Sequence, residues 1–140
     1  MVWLRVIAAG MLVVSSLQVR SQQKIPFRFN QGVTRVAGGW ILSGTDTLGR
    51  VDDRLKVVIE QAPAIPTEWA ARGYRHVGDV DAAGGVLYAP LEQHDFNAGR
   101  QATARYDPTS LRFLDAVELP QHENSFVAVD GRTMTRFGTV

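Results

Sequence analysis

The sequence predicts an all-β fold, and three observations support this prediction. Segments rich in β-branched and aromatic residues flank the Ala-Gly-Gly turn at 83–85, where glycine adopts positive φ without steric cost. The same strand, turn and strand pattern recurs around residues 37–39 and 130–132. Two further strands fit between successive copies. We therefore expect a chain built mainly from antiparallel hairpins.

The spacing of these hairpins indicates a repeat. With the valine before each turn as a marker, Val36, Val80 and Val129 are separated by 44 and 49 residues. A β-propeller blade repeats at roughly 40 to 50 residues and contains four antiparallel strands. Additional hairpins at 48–60 and 102–119 supply four strands in each interval. The sequence therefore predicts β-propeller blades.

The blade boundaries divide most of the chain. We expect one blade over 32–62, a linker over 63–75, a second blade over 76–120 and a partial blade over 121–140. A propeller ring needs at least about four blades. The prediction is therefore an incomplete ring in a truncated chain, and a small β-sandwich is the alternative fold.

Residues 1–21 have the pattern of a secretory signal peptide. Arg5 precedes an apolar run over 6–14, which is shorter than the about 20 residues that a membrane-spanning helix needs. Small and polar residues follow, and cleavage is expected before Gln22. We therefore expect a secreted or periplasmic protein, with an uncleaved anchor helix as the alternative. Residues 22–31 then form an extended lead-in.

Two local patterns fall outside the hairpins or at their turns. In the linker, Thr67 is predicted to cap a short helical turn that ends at Gly73, or else the segment is a plain loop. Between the outer strands of the second blade, Asp107 and Pro108 suit a type I turn, because the Asp side chain caps backbone amides and proline restricts φ.

Composition excludes several classes of function. The chain has no cysteine, which removes disulfides and thiolate chemistry. Its 15 basic and 14 acidic residues include no basic run, which disfavours nucleic acid or an anionic membrane as partner. Nucleotide-binding glycine loops, the G-x-S-x-G elbow and the H-E-x-x-H motif are also missing from the sequence. The expected partner is an unidentified ligand or protein, with no membrane role beyond export.

Polar residues concentrate near the predicted blade ends. Carboxylate oxygens bind Ca²⁺ and imidazole nitrogens bind transition metals, so a divalent cation such as Ca²⁺ is the cofactor that this set would suit. His76 and His122 are predicted to occupy equivalent positions in successive blades. The other interpretation is that these residues form turns and hydrogen bonds that support the blades. The predicted metal or ligand residues are His76, Asp79, Glu92, His122 and Glu123, within a wider set that includes Asp81, His94 and Asp95.

Three short motifs resemble those of a known family. The stretches His-Val-Gly-Asp-Val-Asp at 76–81, Val-Leu-Tyr-Ala-Pro-Leu-Glu at 86–92 and Tyr-Asp-Pro-Thr-Ser-Leu at 106–111 resemble secreted bacterial β-propellers of the YVTN and quinoprotein-amine-dehydrogenase-like group. The resemblance covers residues 32–131 and implies blades of a ring with roughly seven members. The third repeat departs from the family, because 131–137 lacks the apolar Leu-Tyr strand.

These observations predict an exported β-propeller segment that acts as a binding or interaction module. The alternative is a metal-dependent hydrolase or lactonase-like enzyme with its site at the blade rim. A third class is a purely structural repeat within a larger assembly.

The truncation hypothesis predicts the nucleotide sequence that follows the codon of Val140. Another reading frame should continue with Val-Asp, glycine and Leu-Tyr patterns at about 45-residue spacing. Sequencing this region tests the hypothesis. Stop codons in every frame without such patterns would favour the small β-sandwich.

Overall fold

The computed structural model describes residues 24–137 and confirms the all-β prediction. Three antiparallel sheets, none of them closed, account for most of these residues. The predicted signal peptide, 1–21, lies outside the described residues. None of the helices found between residues 24 and 137 has the length and apolar character needed to cross a membrane.

Sheet 1 is a four-stranded meander. Its first hairpin is the predicted one, with Val36 paired to Gly39 across a turn in which Gly38 has φ 74°. Hydrogen bonding follows chain order throughout the sheet. The strands are β1 (Gly32–Val36), β2 (Gly39–Gly44), β3 (Thr47–Val51) and β4 (Val57–Gln61).

A short helix, α1 (Thr67–Ala70), follows sheet 1 and confirms the predicted helical turn. The predicted capping role of Thr67 is wrong, because Pro66 occupies the N-cap position and no side chain caps the helix. Trp69 is buried and packs edge-on against Tyr74, with the ring centroids 5.1 Å apart. The helix is therefore held by burial of its aromatic residue.

Sheet 2 has five strands. The turn between its last two strands confirms the sequence prediction, since Asp107 Oδ1 accepts hydrogen bonds from the backbone amides of Thr109 (3.0 Å) and Ser110 (2.7 Å). The strands are β5 (Tyr74–Val77), β6 (Asp81–Ala83), β7 (Val86–Gln93), β8 (Gln101–Tyr106) and β9 (Phe113–Leu119).

Regular strand pairing is interrupted between β5 and β6. The chain pairs with β7 first as β5 and again as β6. Gly78 N still donates to the carbonyl of Pro90 at 3.1 Å, and residues 79 and 80 are not paired with β7. Here the amide of Asp79 donates to the carbonyl of Ser125 at 2.9 Å. A Cβ on Gly78 would overlap the same carbonyl, so glycine permits this close backbone approach.

Sheet 3 is the hairpin of β10 (Phe126–Asp130) and β11 (Thr133–Phe137). The second strand forms although the sequence lacks the apolar Leu-Tyr pair expected there. Gly131, with φ 55°, supplies the turn conformation that sets the register of the two strands.

The hairpins β1–β2, β6–β7 and β10–β11, one from each sheet, are evenly spaced along the chain. The last paired residues before each turn are Val36, Ala83 and Asp130, which are separated by 47 and 47 residues. The valine markers are therefore not equivalent, because Val80 lies three residues and Val129 one residue before the last paired residue of its hairpin. Residues 47 apart can be compared directly between sheets.

The hydrophobic core lies mainly between sheets 1 and 2. Ile41 and Leu48 project from sheet 1 toward Leu87 and Tyr106 of sheet 2, and all four are fully buried. We call the side of a sheet that is turned toward the next sheet along the chain its forward face, and the opposite side its backward face. The backward face of sheet 1 carries a smaller cluster, in which Phe29 of the lead-in packs with Leu42 and Val51.

The first strand of each hairpin lies beside its counterpart in the neighbouring sheet. Strand β6 contacts both β1 and β10. The Asp81 carboxylate joins all three, since it accepts hydrogen bonds from Thr34 Oγ1 (2.9 Å), from its neighbour Ala82 N (2.8 Å) and from Val129 N (2.7 Å). One side chain therefore links the three sheets.

Replacement of Asp81 by alanine is expected to lower the free energy of unfolding by about 2–4 kcal/mol, because three donors lose a charged acceptor. Urea titration followed by tryptophan fluorescence measures this change. The control is Asp130→Ala, since Asp130 is exposed and its carboxylate accepts no hydrogen bond within residues 24–137. Equal losses in the two variants would contradict the joining role of Asp81.

Candidate functional site

The structure brings His76 and Glu92 together on adjacent strands. They are directly paired across β5 and β7, and His76 Nδ1 lies 2.7 Å from Glu92 Oε2. The Glu92 side chain is only 5% exposed, whereas that of His76 is 31% exposed. The pair therefore places a buried carboxylate behind a partly accessible imidazole.

The second oxygen of Glu92 reaches the segment that leads into β10. Glu92 Oε1 accepts a hydrogen bond from the backbone amide of Asn124 at 3.0 Å and another from Ser125 Oγ at 3.3 Å. The hydrogen bond with His76 is the main reason why the pKa of Glu92 lies below its ordinary value, and it outweighs the opposing effect of burial. Glu92 is therefore an ionised carboxylate with partners on both oxygens.

Uncharged amide side chains extend this network. Asn124 is fully buried, and its Nδ2 donates to the carbonyl of Ala102 at 2.7 Å and to Thr103 Oγ1 at 3.2 Å. Gln101, also fully buried, donates from Nε2 to the carbonyl of His122 at 2.6 Å. Sequence reasoning missed both residues, because amides belong to no motif spacing. The available signal for Gln101 was its position directly before the small residues Ala-Thr-Ala of β8.

The geometry of His76 defines what this site can do chemically. Glu92 holds Nδ1, which orients the ring and leaves Nε2 for a proton or a ligand. The same carboxylate and imidazole arrangement supports metal-bound histidines in proteins. Between residues 24 and 137, however, no three His, Asp or Glu side chains are grouped so that they could hold a metal ion.

The remaining predicted residues lie apart from this pair. Asp79 Oδ1 accepts a hydrogen bond from Val33 N at 3.2 Å, and His122 Nδ1 lies 2.7 Å from the carbonyl of Phe96. Both contacts agree with the fold-supporting interpretation. Glu123 is partly buried, and its carboxylate forms no hydrogen bond with another described residue.

The predicted equivalence of His76 and His122 is wrong. The 47-residue spacing places Glu123, not His122, at the position that corresponds to His76. A backbone bridge between Asp79 and Phe126, also 47 residues apart, agrees with this alignment. The structure therefore gathers His76 and Glu92 and leaves the other three predicted residues at separate places.

A separate cleft of about 360 Å³ lies between the first turns of sheets 1 and 2. Its lining includes Arg50, the two turn glycines Gly84 and Gly85, and Pro108. None of the five predicted site residues lines it. The polar pair described above is therefore the candidate site that agrees with the sequence.

Comparisons with protein-family models, with curated proteins and with solved structures find no match to this chain.

The low pKa of Glu92 predicts a specific pH dependence for the Glu92→Gln variant. The ionised form stabilises the fold above the usual carboxyl pKa near 4.5, and this contribution is lost as the pH falls through the lowered folded-state value. At pH 7 the variant is expected to be about 1–3 kcal/mol less stable than the native protein.

This difference in unfolding free energy should narrow as the pH falls below about 4.5, because the carboxylate is protonated first in the unfolded chain and, at still lower pH, in the folded protein. Urea unfolding at pH 7, 5, 4 and 3 measures it. Glu123→Gln is the control and should change stability little at any of these values. A difference for Glu92→Gln that stays constant with pH would contradict the role given to the ionised carboxylate.

Proposed function

We propose that the chain is an exported module of β-propeller type that acts by binding rather than by catalysis. The even 47-residue spacing of three equivalent hairpins carries this proposal. Residues at equivalent positions also share a direction: Trp40, Leu87 and Met134 all lie on backward faces. A hairpin that repeats at a constant spacing, with equivalent side chains facing the same way, is the pattern expected of propeller blades. A small β-sandwich does not require this repetition.

The use of the polar side chains supports binding over catalysis. Glu92, Asp79 and Asp81 each accept hydrogen bonds that join one sheet or segment to another. A catalytic acid or base needs a proton-accepting atom directed at a substrate. Among the five predicted residues, His76 is the one whose orientation by a carboxylate suits such chemistry.

The open surface of sheet 2 supports a partner with an apolar face. On strand β9, Val117 is 64% exposed and Leu114 is 42% exposed. Val117 borders an apolar groove together with Tyr88, Leu119 and Met134, and contiguous apolar exposure of this kind marks interaction surfaces in folded domains. The proposed module therefore binds another protein surface, and export follows from the predicted signal peptide.

The second candidate function is a metal-dependent hydrolase or lactonase-like enzyme. The His76 and Glu92 pair favours it, because a carboxylate behind an imidazole matches the support of a metal ligand. Further ligands would then come from outside the pair.

Metal titration distinguishes the two functions. Because the proposed module uses no metal, His76→Ala is expected to leave the affinities for Ca²⁺ and Zn²⁺ unchanged in calorimetric titrations of the full chain. The matched control is His94→Ala, a change at an exposed histidine of the loop after β7. A tenfold or larger loss of affinity in His76→Ala alone, about 1.4 kcal/mol, would favour the hydrolase.

A further inference from the structure

The forward face of sheet 2 is covered over only part of its width. Strand β10 contacts β6 and β7, whereas Val117 on the outer strand β9 remains largely exposed. Beside the hairpin of sheet 3 lies a groove of about 130 Å³, and its lining is almost wholly apolar. Its apolar contributors are Tyr88, Val117, Leu119 and Met134, and Thr103, Arg105 and Arg136 complete the lining.

The lead-in at the other end of the described chain carries an exposed aromatic side chain. Phe27 is 88% exposed, and Ile25 beside it is 39% exposed. The same segment is nevertheless firmly attached to sheet 1, because Arg28 forms two hydrogen bonds with Glu60 (2.8 and 2.6 Å) and Phe29 packs onto Gly49. Phe27 is thus a projecting side chain on a fixed support.

The groove and Phe27 of one molecule cannot meet. The lead-in lies on the backward face of sheet 1, and the groove lies on the forward face of sheet 2, so both sheets separate them. Two residues of extended chain reach about 7 Å beyond Phe29. Packed sheets are about 10 Å apart, so the distance exceeds that reach.

We propose that Phe27 of one copy docks into the groove of a second copy of this chain. This inference rests on the proposed binding module and names its partner. Within the chain, backward faces pack on forward faces, as Leu87 does on Ile41. The lead-in covers part of the backward face of sheet 1, and the sheet 3 hairpin covers part of the forward face of sheet 2. The lead-in of a second copy, placed beside β11, would cover the rest of the forward face of sheet 2.

The size of the groove agrees with this contact. The groove of about 130 Å³ is close to the roughly 150 Å³ of an apolar cavity that accepts benzene. Two of the arginines at these surfaces are already paired within the chain, Arg28 with Glu60 and Arg105 with Asp115. The contact is head-to-tail, because each copy contributes Phe27 to one neighbour and its groove to the other.

Two single variants of the full chain test this arrangement by sedimentation velocity. Phe27→Asp removes the projecting side chain and leaves the groove, whereas Val117→Asp disrupts the groove and leaves Phe27. The native chain is expected to associate as its concentration rises, and each variant alone to stay monomeric. An equimolar mixture of the two variants is expected to form a 1:1 dimer, because one complementary pair of surfaces is restored.

The control is Val58→Asp, a change at a 53% exposed valine on β4, which should associate like the native chain. Circular dichroism checks folding, and Phe27→Ser with Val117→Ser replaces the pair if an Asp variant unfolds.

A native chain that is monomeric up to about 100 μM, or single variants that associate unaided, would overturn the inference. So would a mixture that stays monomeric. These outcomes are independent of the metal titration, so the proposed function is judged separately.

Discussion

The close approach of β6 to both β1 and β10 is the constraint on which the rest of the structure depends. A backbone that leaves its ladder at 79–80 makes this approach possible, and Gly78 provides the space for it. The Asp81 carboxylate then accepts donors from Thr34 and Val129, which belong to the two neighbouring sheets. Face-to-face burial of Ile41 against Leu87 follows from this placement, because the strands that carry them are paired to the joined strands.

One buried and one partly buried carboxylate connect elements of the fold. Glu92 binds both His76 of β5 and the Asn124 backbone before β10, just as Asp81 binds β1 and β10. A buried acceptor costs free energy unless donors satisfy it, and these donors come from segments far apart in sequence. Glu92, Asp79 and Asp81, whose residue type suggests a metal site, therefore serve mainly to hold sheets and segments together, and the His76 ring that Glu92 orients is partly exposed.

Local patterns predicted much of the fold because the forces involved act over a few residues. The turn at Asp107 followed from one side chain and the next three residues, and the hairpins followed from glycine turns between β-branched segments. The pairing of His76 with Glu92 depends on strand register, so sequence reasoning found both residues without their contact. Asn124 and Gln101 were missed, because their partners lie about 20 residues away along the chain.

The sequence by itself determined the antiparallel hairpins, the all-β class and the turn chemistry, since side-chain alternation and glycine or proline conformations are set locally. Only the tertiary structure decided the break at 79–80, the even 47-residue spacing and the assembly of the Glu92 network. The physical reason is that these features depend on contacts between sheets. Such contacts depend on which donors and acceptors satisfy one another. The local sequence around each residue does not show which partner, about 47 positions away, it will contact.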